Sequence, residues 1–236
     1  MNTLAFDTCF GACSAAATWH TPDGRAGAYR FERLLRGHAE LLTPMIGEVM
    51  AEAPFDYRDI ARIVVTTGPG TFTGQRVGIA AARALALATG ARIGTLSSLA
   101  VMAYTAAHDI PAEVAGKVLA VAVDARRDEI YFQCFAGPGW TALGAPALLA
   151  PSDAARLLDG RAAVAVGSGA ELLVAAARDL GVVALARLPD LEPDVRHVSD
   201  AAVAAGTERP RPLYLRPPDA KPQDGASLAR VSTGVS

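Results

Sequence analysis

The chain has 236 residues, and 22 Lys and Arg stand against 24 Asp and Glu, a formal charge of −2. That balance argues against a protein whose main work is gripping a phosphate backbone, which needs a clear basic excess. Apolar residues make up 51% and charged ones 19%, the proportions of a chain that folds rather than a disordered one.

In chain order, Thr3 to Asp7 reads as a strand, followed by a turn at Phe10-Gly11 and a small-residue strand from Ala12 to Trp19. Pro22 to Gly24 is a turn signal before a third strand, Ala28 to Leu34, so an antiparallel meander is expected. Leu41, Leu42, Met45, Ile46, Val49 and Met50 recur at helical spacing and form one wide apolar face. Pro44 leaves two options there: Thr43 caps a helix with Pro44 at its first position, or a longer helix from His38 is kinked. Ile60 to Thr67 is a buried-type strand, Gly68 to Gly74 a glycine loop, and Gln75 to Thr89 a helix. A short strand from Arg92 to Leu96 and a helix capped by Ser97 or Ser98 complete the first half.

After Pro111 the order begins again. Lys117 to Asp124 is a strand ending in aspartate, Arg126-Arg127-Asp128 a polar turn, and Glu129 to Phe135 a strand. A third run near Trp140 to Leu143, a helix capped by Ser152, a strand Ala163 to Val166, the loop Gly167-Ser168-Gly169 and a helix from Glu171 to Leu180 follow. Both halves therefore read strand, Asp, turn, strand, strand, helix, strand, glycine loop, helix. Two similar α/β lobes are expected, at 1–108 and 109–206, with a Pro-rich tail at 207–236 whose end is disordered.

The loop Gly68-Pro69-Gly70-Thr71-Phe72-Thr73-Gly74 lies between a strand and a helix, so its amides and the helix dipole would converge on one spot. Two readings stand side by side: an anion site, or a tight turn that needs glycine for steric reasons. No Gly-Lys-Ser/Thr follows, so this is not a Walker A loop. Asp7 and Thr8 at the end of the first strand could serve a bound phosphate, with Asp124 as their counterpart, or could simply close a turn. Gly74, Gly78 and Ala82 fall four apart and allow a close backbone approach.

No catalytic set emerges. His38 has no second histidine three or four residues away, and His20, His108 and His197 are isolated in sequence and read as surface residues, so no metal site is expected. Cys9, Cys13 and Cys134 make neither a disulfide framework nor a zinc quartet and read as buried small residues. Met1 to Trp19 lacks a basic start and carries Asp7 in its apolar stretch, and no run approaches the roughly 18 apolar residues of a span, so a cytoplasmic, non-membrane protein is expected.

Several motifs together carry a family resemblance. Leu4-Ala5-Phe6-Asp7-Thr8, then Ala12-Cys13-Ser14, His38-Ala39-Glu40 and the glycine loop with Arg76, Gly78 and Ile79, resemble the bacterial TsaB (YeaZ) family. Ser97-Ser98-Leu99, Asp124-Ala125-Arg126 with Glu129-Ile130-Tyr131, and Pro212-Leu213-Tyr214-Leu215-Arg216 extend the match. The resemblance implies a duplicated, two-lobed α/β fold of the actin, sugar-kinase and Hsp70 type. It also implies a non-catalytic subunit of the complex that adds threonylcarbamoyl to N6 of adenosine 37 in tRNAs reading ANN codons.

In that family the partners are the catalytic TsaD subunit and the ATPase TsaE, and the isolated chain pairs with itself through its N-terminal lobe. ATP and metal are then expected on the partner subunits, with no cofactor on this chain, and tRNA is reached mainly through the complex. A vestigial anion site would comprise Asp7, Thr8, Gly68, Gly70, Thr71 and Gly74. Candidates for the partner interface are Leu42, Met45, Ile46 and Val49 on one helix and Val77, Gly78 and Ala81 on the next, unless the first stripe merely covers its own sheet. The competing reading is a small-molecule ATP-dependent phosphotransferase of the same fold, with Asp7, Thr8 and the loop at Gly70 holding phosphates. A metallopeptidase would need the missing histidine pair.

Overall fold

The computed structural model describes residues 1–198 and 209–216. The first half builds β1 (Thr3–Asp7), β2 (Ala12–Thr21), β3 (Gly24–Arg33), α1 (His38–Glu52), β4 (Arg62–Thr66), α2 (Phe72–Thr89), β5 (Arg92–Leu96) and α3 (Ser98–Asp109). The second builds α4 (Pro111–Val114), β6 (Val118–Asp124), β7 (Ile130–Ala136), β8 (Thr141–Ala142), β9 (Ala147–Leu149), α5 (Pro151–Arg156), β10 (Ala163–Val166), α6 (Ala170–Asp179) and β11 (Ala184–Arg187).

The two sheets share one topology. In the first the order is β3-β2-β1-β4-β5, with β1, β4 and β5 parallel and the β1-β2-β3 meander antiparallel. In the second the order is β11-β10-β6-β7-β8, with β9 also on β7; β6, β10 and β11 are parallel and β7 antiparallel to β6. Asp7 and Asp124 thus end equivalent central strands, and the expected duplication is an architectural fact. The chain has the two-lobed α/β fold of the actin and sugar-kinase type.

The central strands are buried on both faces, and their side chains show it: every residue of β1 is buried, as a strand covered on both sides requires. On one face, α1 and α2 cover β1, β2 and β4 through Leu4, Phe6, Leu42, Met45, Ile46, Val49, Ile63 and Val65. On the other face lies α3, together with a short 3₁₀ turn at Val195–His197, which packs Val195 and Val198 on Ala5, Ala16 and Val64. α3 also meets the second sheet, where Leu99 and Met102 cluster with Leu119, Val121 and Phe135. It is therefore the layer between the sheets, and eight of its residues are buried. The outer face of the second sheet is closed by α5 and α6, with Leu158 and Leu173 fully buried.

Several boundaries differ from the sequence reading. α1 runs unbroken from His38 through Pro44, the longer of the two options. α2 begins at Phe72 rather than Gln75, because the Thr71 side chain accepts from the Gly74 amide and caps the helix three residues early. Ser152 does not cap α5; Ala150 holds that position with Pro151 at the first helical residue. β9 and β11 add strands that short apolar runs did not reveal. Of the expected tail, Pro217, Pro218 and Pro222 lie outside the described residues, as does the stretch expected to be disordered. Among the described residues no helix is long and apolar enough to cross a membrane.

Candidate functional site

Asp7, Thr8, Gly68, Gly70, Thr71 and Gly74 do meet in space, where they contact one another and their neighbours Cys9, Thr66, Gln75 and Ser98. β1 delivers Asp7 and Thr8 to the start of α2. The Thr8 hydroxyl donates to the Gly74 carbonyl at 2.7 Å, and the Thr71 amide donates to the Cys9 carbonyl at 2.7 Å. The Gly74 amide is spent on the Thr71 hydroxyl at 3.1 Å, and the Gln75 side-chain amide closes the loop onto the Gly70 carbonyl at 2.9 Å.

Sterics explain the glycines. A Cβ on Gly70 would stand 2.3 Å from the Cys9 carbonyl oxygen, and one on Gly74 would stand 2.0 Å from that of Thr8. Gly68 in addition holds φ at 113°, a region that disfavours any side chain. The loop is a close-packed joint between α2 and the β1–β2 turn. The second half repeats it: a Cβ on Gly167, at φ 94°, would meet the Ala122 carbonyl at 2.6 Å, and the Asp124 amide donates to the Ser168 hydroxyl.

Asp7 lies at the centre of the joint and is fully buried. Its carboxylate accepts from the Cys9 amide at 3.0 Å and from the Thr66 hydroxyl. Burial outweighs those two bonds and pushes Asp7 up to about 7. Burial, with Asp7 beside it, also raises the Cys9 thiol, and burial lifts Cys13 and Cys134 to about 12. None of the three is a thiolate nucleophile at neutral pH.

A segment that the sequence reading placed in the tail joins this region. The Leu213 amide donates to the Thr67 carbonyl at 2.7 Å, and the Tyr214 ring stacks on Phe72 with centroids 5.1 Å apart. The Arg76 guanidinium lies 3.5 Å over the Phe72 ring, and its Nε donates to the Tyr214 hydroxyl at 2.7 Å. Arg216 then reaches the second half, donating to the Ala125 carbonyl at 2.7 Å and pairing with Glu129. Residues 209–216 therefore strap the N-terminus of α2 to the β6–β7 turn. Sequence reasoning gave no structural role to Phe72, Arg76 or Tyr214; the available signals were the motif of the glycine loop with Arg76 and the Pro-Leu-Tyr-Leu-Arg stretch.

With this geometry in hand, the chain can be compared with known proteins. The family model for TsaD, tRNA N6-adenosine threonylcarbamoyltransferase, matches residues 32–143. An uncharacterized protein of Mycobacterium tuberculosis is 36% identical over 193 residues, 79% of either chain. The tRNA threonylcarbamoyladenosine biosynthesis protein TsaB of Escherichia coli is 37% identical over 132 residues, 56% of this chain and 54% of that one. The crystal structure of YeaZ from Pseudomonas aeruginosa superposes with a TM-score of 0.69 at 29% identity, covering 82% of this chain and 86% of that one. The chain belongs to the TsaB (YeaZ) family.

Most of the residues expected at a partner interface are instead covered by this chain's own core. Leu42, Met45, Ile46 and Val49 are 1%, 3%, 5% and 0% exposed, because that stripe is the face α1 turns to its own sheet. Gly78 is buried too, where a Cβ would come within 2.8 Å of the Thr8 hydroxyl. Val77 and Ala81 are half-buried against the same core. The face turned to solvent carries Ala80, Arg83, Ala84, Leu87 and Ala88 on α2, beside Thr43, Pro44, Glu48 and Ala51 on α1. Leu87 is 90% exposed, an apolar side chain that its own fold leaves uncovered.

The histidines also need correction. His38 is buried, with Nε2 2.9 Å from the Phe10 carbonyl oxygen. His108 and His197 are isolated only in sequence, for their rings stack with centroids 3.9 Å apart.

Proposed function

We propose that this chain is a non-catalytic subunit of the assembly that places threonylcarbamoyl on N6 of adenosine 37 in tRNAs reading ANN codons. It would act by docking the outward face of α1 and α2 on the catalytic TsaD-type transferase. The observation that carries this reading is the closed joint at the end of β1: the Thr8 hydroxyl and the Thr71 and Gly74 amides, which could hold phosphate, are bonded within the chain, and Gly70 and Gly74 sit against backbone. A phosphotransferase would need Asp7 within reach of its substrate, and Asp7 is fully buried.

The remaining parts of the reading follow. Lobes at 1–108 and 109–206 give the dimerizing surface to the first lobe, where a second copy and the transferase would compete for the same helices. ATP and metal chemistry fall to the transferase and to a TsaE-type ATPase. A surface of near-zero net charge leaves the tRNA backbone mainly to those partners, and the assembly would work in the cytoplasm.

Depleting the chain from its host and quantifying modified nucleosides in total tRNA by mass spectrometry tests the reading. Threonylcarbamoyladenosine should fall to a small fraction of its normal level and return when the chain is supplied again. Undiminished threonylcarbamoyladenosine in depleted cells overturns the assignment.

A further inference from the structure

Far from the joint at Asp7, the last turn of α3 and the 3₁₀ turn at 195–197 bring three metal-ligating side chains together. His108 and Asp109 come from α3 and His197 from the 3₁₀ turn, and one donor atom from each lies within 4.8 Å of the others. His108 Nδ1 stands 3.1 Å from the Asp109 carboxylate, and the two imidazole rings lie face to face at 25°. From this convergence we infer a divalent transition-metal site formed by His108, Asp109 and His197.

The donor set suits a first-row ion. Metal–nitrogen and metal–oxygen bonds of about 2.0–2.2 Å in a tetrahedral shell place ligand atoms about 3.3 Å apart. Imidazole lone pairs lie in the ring plane, so the stacked rings must turn edge-on to the ion, and side chains 65% and 44% exposed give His108 and Asp109 the room to do so. Two imidazoles with one carboxylate select Zn²⁺, Co²⁺ or Ni²⁺ over Mg²⁺ or Ca²⁺, which demand oxygen. Three protein ligands at an exposed site leave a fourth position to water.

The surroundings permit a cation. Arg196, which lines the same groove as both histidines, is paired with Asp194 at 2.6 Å and lies over the Tyr29 ring at 4.6 Å. Arg25, which lines the same groove of about 320 Å³, donates to the Thr18 hydroxyl. A bound ion would pin the 195–197 turn to α3, and both pack against the first sheet. It would thus act as a staple on the connection that returns from β11.

Zinc titration of the full chain by calorimetry, with Co²⁺ absorption as the spectroscopic readout, tests the site. The unaltered chain should bind one Zn²⁺ per molecule with a Kd on the order of micromolar, take up Co²⁺ with the visible absorption of a tetrahedral ion, and melt at a higher temperature with Zn²⁺ present. His108→Ala and His197→Ala should each weaken Zn²⁺ binding at least about tenfold and abolish both the Co²⁺ band and the thermal shift. His20→Ala, which removes the imidazole 2.9 Å from the N-terminal amine, should change none of these. No Zn²⁺ binding by the unaltered chain, or wild-type affinity in the His108 and His197 variants, overturns the proposal. His108→Gln, which keeps a polar side chain on the helix, supplies the same reading should the alanine variant fold poorly.

Discussion

Replacing Gly74 by alanine is expected to destabilise the protein by about 3 kcal/mol or more. Alanine is the better helix former, by roughly 1 kcal/mol, so propensity alone forecasts the opposite sign. Position 74 is different because the added Cβ would lie 2.0 Å from the Thr8 carbonyl oxygen and 2.6 Å from the Thr71 hydroxyl. The first of these is backbone of a buried strand end and cannot swing aside. Either α2 moves off β1, losing the Thr8 and Thr71 bonds, or β1 distorts. Urea unfolding measures the difference. Gly47 in α1 is the matched control: nothing lies within 4 Å of its missing Cβ, so Gly47→Ala should stabilise by roughly 0.5–1 kcal/mol. A phosphate-cradling loop would keep glycine for its ligand, and its ligand-free form would tolerate Gly74→Ala. A cost below about 1 kcal/mol would therefore speak for a cradle and against a packed joint.

The second large effect is a pH dependence. Burial raises Asp7 from 3.8 to about 7 in the folded chain. Between those values the folded protein holds a proton that the unfolded chain has released, so stability falls as pH rises through this window and the full penalty stands above it. At about 1.4 kcal/mol per pH unit the penalty is on the order of 4 kcal/mol. Asp7→Asn removes the charge and keeps the geometry, because its oxygen still accepts from the Cys9 amide and its amide can donate to the Thr66 hydroxyl. The variant should be more stable than the parent by a few kcal/mol at pH 8, and the gap should close towards pH 4.

Glu192 is raised by burial too and adds a slope of the same sign, while His197 is lowered by burial and adds one of opposite sign. Both are present in parent and variant, so the difference between the two curves reports Asp7 together with its coupling to Glu192. A gap independent of pH between 4 and 8 would mean that Asp7 is not the buried, penalised carboxyl described here.

How much of this was legible in the sequence depended on whether the controlling contact was local. β1, β5 and β10 have the expected bounds, because each is a short segment flanked by turn or cap residues. The duplicated topology followed from element order alone. The start of α2 was misplaced because glycine at 74 reads as loop, whereas a threonine cap three residues earlier had already begun the helix.

The burial of the expected interface stripe has a deeper reason. A stripe at helical spacing marks the face that an amphipathic helix buries, and in α1 that face meets its own sheet; the proposed docking face mixes alanines and Leu87 with Thr43, Pro44, Glu48 and Arg83 and leaves no apolar stripe. The Tyr214–Phe72 stack and the His108–His197 pair were invisible because each joins residues far apart in the chain. Only the closed fold puts them side by side.

The central claim is that the outward face of α1 and α2 docks on a TsaD-type transferase. Its most direct test is the affinity between this chain and the transferase of the same organism, measured with purified proteins for the parent and for Ala84→Glu and Leu87→Asp. Both side chains point to solvent, so the variants should melt like the parent. The parent should form a stable heterodimer, weakened at least about tenfold by either substitution. Failure of the parent to bind the transferase, or unchanged affinity in both variants, would contradict the claim.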